Sequence, residues 1–167
     1  TQRVEAMKLE QPLEKEGRIG DHLKVGDLVM VQIAKEAIST KGPRLTADIS
    51  LAGRNVVLVP FTSKVFVSTK IRSNAAKKRL RKVAQEVLPP NFGVIIRTAA
   101  ADAEDIDIMQ DILSLVERWN TTLAEIRKSE APARLMSEMS RVNTIIRDSL
   151  NDTFSQIMVD DEKMYNE

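Results

Sequence analysis

A chain of 167 residues has room for one ordinary domain or two small ones, and 43% hydrophobic residues are enough for a core. Its 25 basic and 24 acidic residues leave a net charge of +1, so only the distribution of charge can speak about partners. The absence of cysteine excludes a disulfide scaffold and a Cys-ligated zinc site, and fits a reducing, cytoplasmic compartment. No apolar stretch approaches a membrane span, and the N-terminus is not a signal peptide. The chain starts Thr1-Gln2-Arg3 without a methionine and stops inside what reads as a starting helix, Lys163-Met164-Tyr165-Asn166-Glu167. That is the pattern expected of a piece of a longer polypeptide.

Residues 1 to 20 are mixed polar, with Pro12, Gly17 and Gly20 and no clear period, and read as a tail or loop. Val25-Gly26-Asp27 is a turn, and the apolar run Leu28 to Ile33 reads as a strand. Ser39 to Arg44 is a polar loop marked by Gly42-Pro43. Leu45 to Leu51 alternates strictly, which suits a strand with one wet face. Ala52-Gly53-Arg54-Asn55 turns the chain, and Val56 to Phe61 is the next strand. These strands suit the second half of a small OB-type barrel, or a generic β-meander. Lys64 to Ile71 alternates again. Ser73 stands at an N-cap position before a helix from about Asn74 to Leu88, with Leu80, Val83, Ala84, Val87 and Leu88 on one face. Pro89-Pro90 ends it.

Asn91-Phe92-Gly93 then leads into Val94-Ile95-Ile96, a β-branched run that reads as a buried strand, with Arg97 and Thr98 where it leaves the core. A second helix spans about Ala103 to Lys128, with Ile106, Met109, Leu113, Val116, Leu123 and Ile126 as its apolar stripe and Trp119 helping to cover the sheet. Arg134-Leu135-Met136 is a short extended piece. A third helix covers roughly Glu138 to Leu150, with Met139, Val142, Ile145, Ile146 and Leu150 inward and Arg141 and Arg147 on the wetter side. Phe154 to Val159 reads as a last strand, and Asp160-Asp161 as the cap of a next helix. The whole is α+β.

One histidine, His22, and no cysteine exclude Ser-His-Asp, Cys-His and multi-His metal sites, and no Gly-rich phosphate loop is present. Asp102, Glu104, Asp105, Asp107 and Asp111 could suggest magnesium, but only residues three or four apart share a helix face, and acidic residues at a helix start are explained by the macrodipole and by solvation. The seven methionines, Met7 and Met139 among them, read mainly as core filler. Lys77, Lys78, Arg79, Arg81 and Lys82 form the densest basic run, which reads as a solvated helix face more readily than as a phosphate contact. Arg97 beside Thr98 has two readings on residues alone: a surface arginine at a strand end, or an Arg fork that grips a phosphate together with a hydroxyl.

The phrases Val29-Met30-Val31-Gln32-Ile33-Ala34-Lys35-Glu36, Lys41-Gly42-Pro43-Arg44-Leu45-Thr46, Ile49-Ser50-Leu51-Ala52-Gly53-Arg54 and Phe92-Gly93-Val94-Ile95-Ile96-Arg97-Thr98-Ala99 occur in that order. On these the chain resembles the bacterial ribonuclease E/G family, its ribonuclease G branch most closely, from about Gly20 to the C-terminus. The resemblance implies the second half of an OB-type RNA-binding barrel over residues 21–61. A 5′-sensor domain comes next over 62–151, and residues 152–167 begin the return to an RNase H-like part. It implies that Arg97 and Thr98 bind the 5′-monophosphate of an RNA, with Val67 and Ser68 from the strand that lines the pocket, and that Lys41, Arg44 and Arg54 contact the RNA backbone. The sequence departs from the family pattern at Phe66 and Val67, where a glycine pair is expected, and at Asn55, where relatives often carry an aromatic.

The partner implied is single-stranded RNA, and the resemblance allows a homo-oligomer of the full-length protein. The activity implied is magnesium-dependent cleavage in ribosomal and transfer RNA maturation and messenger decay. Its metal ligands and a further basic residue of the pocket belong to a downstream nuclease domain, so this segment is expected to hold no metal and to cut nothing. Two other readings stand beside this one: a non-catalytic RNA-binding module, and a protein-interaction scaffold that docks through Trp119 and the basic helix.

Overall fold

The β-branched runs, the two amphipathic helices and the turns between them assemble around one four-stranded sheet. The computed structural model describes residues 2–3, 16–137, 141–150 and 153–166, without the side chains of Gln2, Arg3 and Arg141. The expectations for Met7, Met139, a helix start at Glu138 and the outward side of Arg141 lie outside what is described. The chain divides into two units, Thr1–Leu135 and Met136–Glu167.

In the first unit, β1 (Gln2–Arg3) pairs antiparallel with β8 (Glu130–Ala131), so part of the expected tail is a strand. A single helical turn, α1 (Ile19–His22), comes next. Beyond it, β2 (Gln32–Lys35) pairs antiparallel with β3 (Arg44–Thr46). The strand expected from Leu28 to Ile33 therefore lies further along the chain. A ladder extends only as far as its partner, and β3 is three residues long. The alternating stretch Leu45–Leu51 likewise breaks in two at Asp48, whose N–H donates to Thr46 Oγ1.

The main sheet has the order β4-β5-β7-β6. Its strands are β4 (Leu51–Ala52), β5 (Val56–Pro60), β6 (Val65–Val67) and β7 (Phe92–Ile96). β4, β5 and β7 run antiparallel, whereas β6 and β7 are parallel, a pairing that needs a crossover connection. That crossover is α2 (Asn74–Val87). Ser73 caps it as expected, its Oγ accepting from the Ala76 N–H. The strands β4 and β5, grouped with the upstream strands in the sequence, thus share a sheet with β6 and β7. No closed barrel forms among the described residues, where the architecture is mixed α+β with five helices.

One sheet face is the core. Leu51, Val56, Leu58, Val94 and Ile96 are buried there under Leu80, Val83 and Ala84 of α2 and under α3 (Asp105–Ile126). The stripe of α3 differs from the expected one. Ile106 and Leu113 are exposed, and the buried set is Ile108, Ile112, Leu115, Val116, Trp119, Thr122 and Ile126. Trp119 is 2% exposed and meets Phe61 edge to face at 5.7 Å. It covers the sheet, as expected, and leaves nothing to dock through. Gly93 lets β6 come close: a Cβ there would lie 2.5 Å from the Lys64 carbonyl oxygen.

In the second unit, α4 (Arg141–Ser149) and α5 (Glu162–Asn166) form. Ile145 of α4 is exposed, not inward. Asp161 accepts from the Met164 N–H at the start of α5, a cap as read from the sequence. No strand forms over 154–159, which finds no ladder partner among the described residues. No helix of the described residues is long and apolar enough to cross a membrane.

Candidate nucleic-acid interface

Parallel strands that end side by side expose their last residues together, and such C-terminal edges are common ligand sites. Here β6 and β7 end at Val67 and Ile96, which are register partners. The Ser68 N–H extends the ladder by donating to the Ile96 carbonyl at 2.9 Å. Ser68 and Thr98 are thereby brought hydroxyl to hydroxyl, 3.1 Å apart. Thr98 is exposed and opens a short 3-10 turn, Thr98–Ala101. Arg97 lies between them in sequence and is half-buried.

The Arg97 side chain is held by the β4–β5 turn. Its Nη1 donates to the Gly53 carbonyl at 2.6 Å and the Arg54 carbonyl at 3.2 Å, and its backbone N–H donates to the Asn55 carbonyl at 2.8 Å. These two carbonyls orient the guanidinium toward the β4–β5 turn.

The same turn is clasped from its other side by Asp111 of α3. The Asp111 carboxylate accepts from the N–H groups of Arg54 (3.3 Å), Asn55 (2.7 Å) and Val56 (3.1 Å). The peptide groups of the turn thus point N–H toward a carboxylate and C=O toward a guanidinium, the favourable orientation at both ends. Gly53 is required for this approach, because a Cβ at that position would overlap the Asp111 carboxylate. Asp111 is therefore occupied by the backbone of the turn. In the sequence it stands out only as part of an acidic cluster. Its partners lie 55 to 57 residues away, and no periodic pattern encodes them.

A second arginine steadies the segment just after Thr98. Arg79 of the basic helix forms an ion pair with Asp105 at 2.8 Å and donates to the carbonyls of Ala101 and Ala103. Lys78, Arg81 and Lys82 are exposed, and Lys82 approaches Glu86 one turn away at 3.9 Å, in line with a solvated face. Among the residues expected to act, Ser68 and Thr98 meet hydroxyl to hydroxyl, while Arg97, next to Thr98 in the chain, turns its guanidinium to the carbonyls of Gly53 and Arg54. Val67 is half-buried and shares the face of buried Ile96. Arg44 is exposed on the separate β2–β3 ladder, and Lys41 is exposed in the connection between its strands, bridged to Ile38.

Residues 50–167 match the model of the Ribonuclease E/G family. The chain belongs to that family. Among its relatives, ribonuclease E of Nostoc sp. is 36% identical over 132 residues, which are 79% of this chain and 19% of that protein. Ribonuclease G of Escherichia coli is 32% identical over 147 residues, 88% of this chain and 30% of the relative. A ribonuclease E/G-like protein of Pyropia yezoensis is 32% identical over 152 residues, 89% of this chain and 30% of its own length. The chain thus spans about a fifth to a third of the ribonuclease E/G relatives it matches. The matched span begins just before β4 and takes in the whole main sheet, Asp111 and Arg97.

Proposed function

We propose that this segment recognises the 5′ end of single-stranded RNA for a cytoplasmic endoribonuclease of the E/G type, and does not itself cut. The reading is carried by Arg97, which ends β7 with its guanidinium held by the β4–β5 turn, and by the hydroxyls of Ser68 and Thr98, which pair where β6 and β7 end. A terminal phosphate has the charge for the first and the acceptor oxygens for the second. Arg97 binds the 5′-monophosphate, Thr98 and Ser68 donate hydroxyl hydrogen bonds to it, and Val67 contributes backbone to the pocket wall. Arg44 on the β2–β3 ladder and Lys41 in the loop joining its strands, a hairpin that we assign to an OB-type barrel, add sequence-independent backbone contacts with Arg54.

Cleavage of single-stranded RNA with magnesium is assigned to residues outside this segment. Two of the acidic residues have other partners, which supports that reading: Asp105 pairs with Arg79 and Asp111 with the β4–β5 turn.

The test is cleavage by the full-length enzyme of one RNA carrying either a 5′-monophosphate or a 5′-hydroxyl. Removing a charge-assisted contact worth about 1.5–3 kcal/mol should cut the preference for the phosphorylated end by about 10- to 100-fold in Arg97→Ala. The rate on the hydroxyl end should stay as it was. An unchanged preference in the variant would refute the assignment.

A further inference from the structure

A helix packed on one side of a sheet turns its other side to solvent, and α2 turns out a face of one sign. The stretch from Lys70 to Lys82 holds seven basic residues and no acidic one. Leu80, Val83 and Ala84 are buried, and the opposite side of the helix carries Asn74, Lys78, Arg81, Lys82 and Gln85, all exposed. Lys70 and Arg72, also exposed, extend the charge toward Ser68, whose Oγ accepts from the Lys70 N–H at 3.4 Å.

Little neutralises this row. Arg79, which pairs with Asp105, lies on the flank of the helix and outside the row. Among the described residues, the ion pair along it is that of Lys82 with Glu86, at 3.9 Å and with the lysine side chain 81% exposed, a contact too loose to hold the charge.

The makeup of the row narrows its occupant. It has no apolar side chain, whereas a protein interface builds its centre from aromatic and apolar residues. A phosphate backbone needs point charges at intervals, which lysine supplies without a fixed geometry. Lys78, Arg81 and Lys82 follow one another over about 6 Å of helix axis in a narrow row. That fits one strand better than a duplex, which is recognised across its grooves on two backbones.

We propose that Lys78, Arg81 and Lys82 bind the backbone of single-stranded RNA away from its 5′ end, as a second contact surface on this segment. The proposal rests on the reading above only for the choice of RNA. α2 lies on the core side of the sheet, whereas Ser68 and Thr98 pair at the strand ends, so the two surfaces engage different nucleotides of one strand. The contact is independent of sequence and of a phosphorylated end.

The test measures binding of the full-length protein to 5′-hydroxyl oligoadenylate in chelator, across a salt series. Lys78→Gln/Arg81→Gln/Lys82→Gln removes three exposed charges and keeps good helix formers, so the fold is retained, which a melting curve checks. The slope of log affinity against log salt should become shallower by about 2, at about 0.7 for each lost contact. Gln85→Lys adds a charge to the same row and should steepen the slope by about 0.7. Arg127→Gln/Lys128→Gln, at exposed positions just past α3, should leave it unchanged.

If neither α2 variant moves the slope, the surface is overturned. It is equally overturned if Arg127→Gln/Lys128→Gln shifts the slope as much per charge, which would make the effect one of net charge. The same holds if the α2 variants matter only for the duplex of oligoadenylate with oligouridylate. The same strand with a 5′-monophosphate keeps the two readings apart. Its affinity relative to the hydroxyl strand should be equal in wild type and triple variant. A wild-type ratio near one removes the end-recognition reading and leaves this surface standing. A ratio that falls in the triple variant places these residues in the pocket and overturns the surface.

Discussion

The two hairpins of the first unit carry similar residues and are built in opposite ways. β4–β5 buries Leu51, Val56 and Leu58, and its turn is fixed between the carboxylate of Asp111 and the guanidinium of Arg97. β2–β3 exposes Ile33 and Leu45, and its tie to the neighbouring chain is the Gln32 amide, which exchanges two hydrogen bonds with the backbone of Ser50. Arg54 sits on the first hairpin, Lys41 and Arg44 on or beside the second. A charge on a lightly held ladder can attract a polyanion but cannot define where one phosphate goes. A charge oriented by hydrogen bonds to two carbonyls of a clasped turn can. The difference separates attraction from recognition.

The sharpest way to break that contrast is in the apolar residues. Leu58→Ala, at a fully buried position, should cost about 3 kcal/mol of stability. Leu45→Ala, more than half exposed on β3, should stay within about 0.5 kcal/mol. Denaturant midpoints measure both, and similar losses would mean that β2–β3 is as firmly packed as β4–β5.

Much of this architecture is legible in the sequence, and the parts that are not share a cause. Ser73, the β-branched runs of β5 and β7 and the Gly53 turn are local signals, and each lies where expected. Periodicity places α3 correctly along the chain but rotated about its axis. Its sequence offers two apolar stripes that share Val116 and Ile126, one through Ile106, Met109 and Leu113 and another through Ile108, Ile112, Leu115 and Trp119. Periodicity alone does not rank them. Burial of the indole against Phe61 and the need for Asp111 to face the β4–β5 turn select the second. The candidate site shows the same divide. The pair Arg97-Thr98 and Ser68 can be picked out by type and by resemblance. The clasp of Asp111 on the turn joins segments more than 50 residues apart and becomes visible only once the chain is folded.

That clasp offers a second way to sharpen the contrast. Asp111→Asn keeps the shape but loses the charge that three backbone N–H groups share. It should lower stability by about 1.5–3 kcal/mol. In the full-length enzyme it should also reduce the preference for a 5′-phosphate, because the turn that aims Arg97 loosens. A purely structural role would weaken phosphate-ended and hydroxyl-ended RNA alike, so the ratio between them is the diagnostic readout.

The smallest effect belongs to the second hairpin. Lys41→Ala or Arg44→Ala should weaken RNA binding uniformly, reduce the slope of log affinity against log salt by about 0.7 for each lost contact on a single strand, and leave the end preference untouched. A change in the end preference from either variant would place that residue in the pocket and dissolve the distinction between the hairpins.

The central claim is that Arg97 is aimed at a terminal phosphate, and affinity tests it more directly than rate. The measurement is the ratio of dissociation constants of the full-length protein for one single-stranded RNA with a 5′-monophosphate and with a 5′-hydroxyl, in chelator, for wild type and Arg97→Ala. The expected result is a wild-type preference for the phosphate of about tenfold or more that collapses toward one in the variant. A wild-type ratio near one, or a variant that keeps the wild-type ratio, would contradict the account.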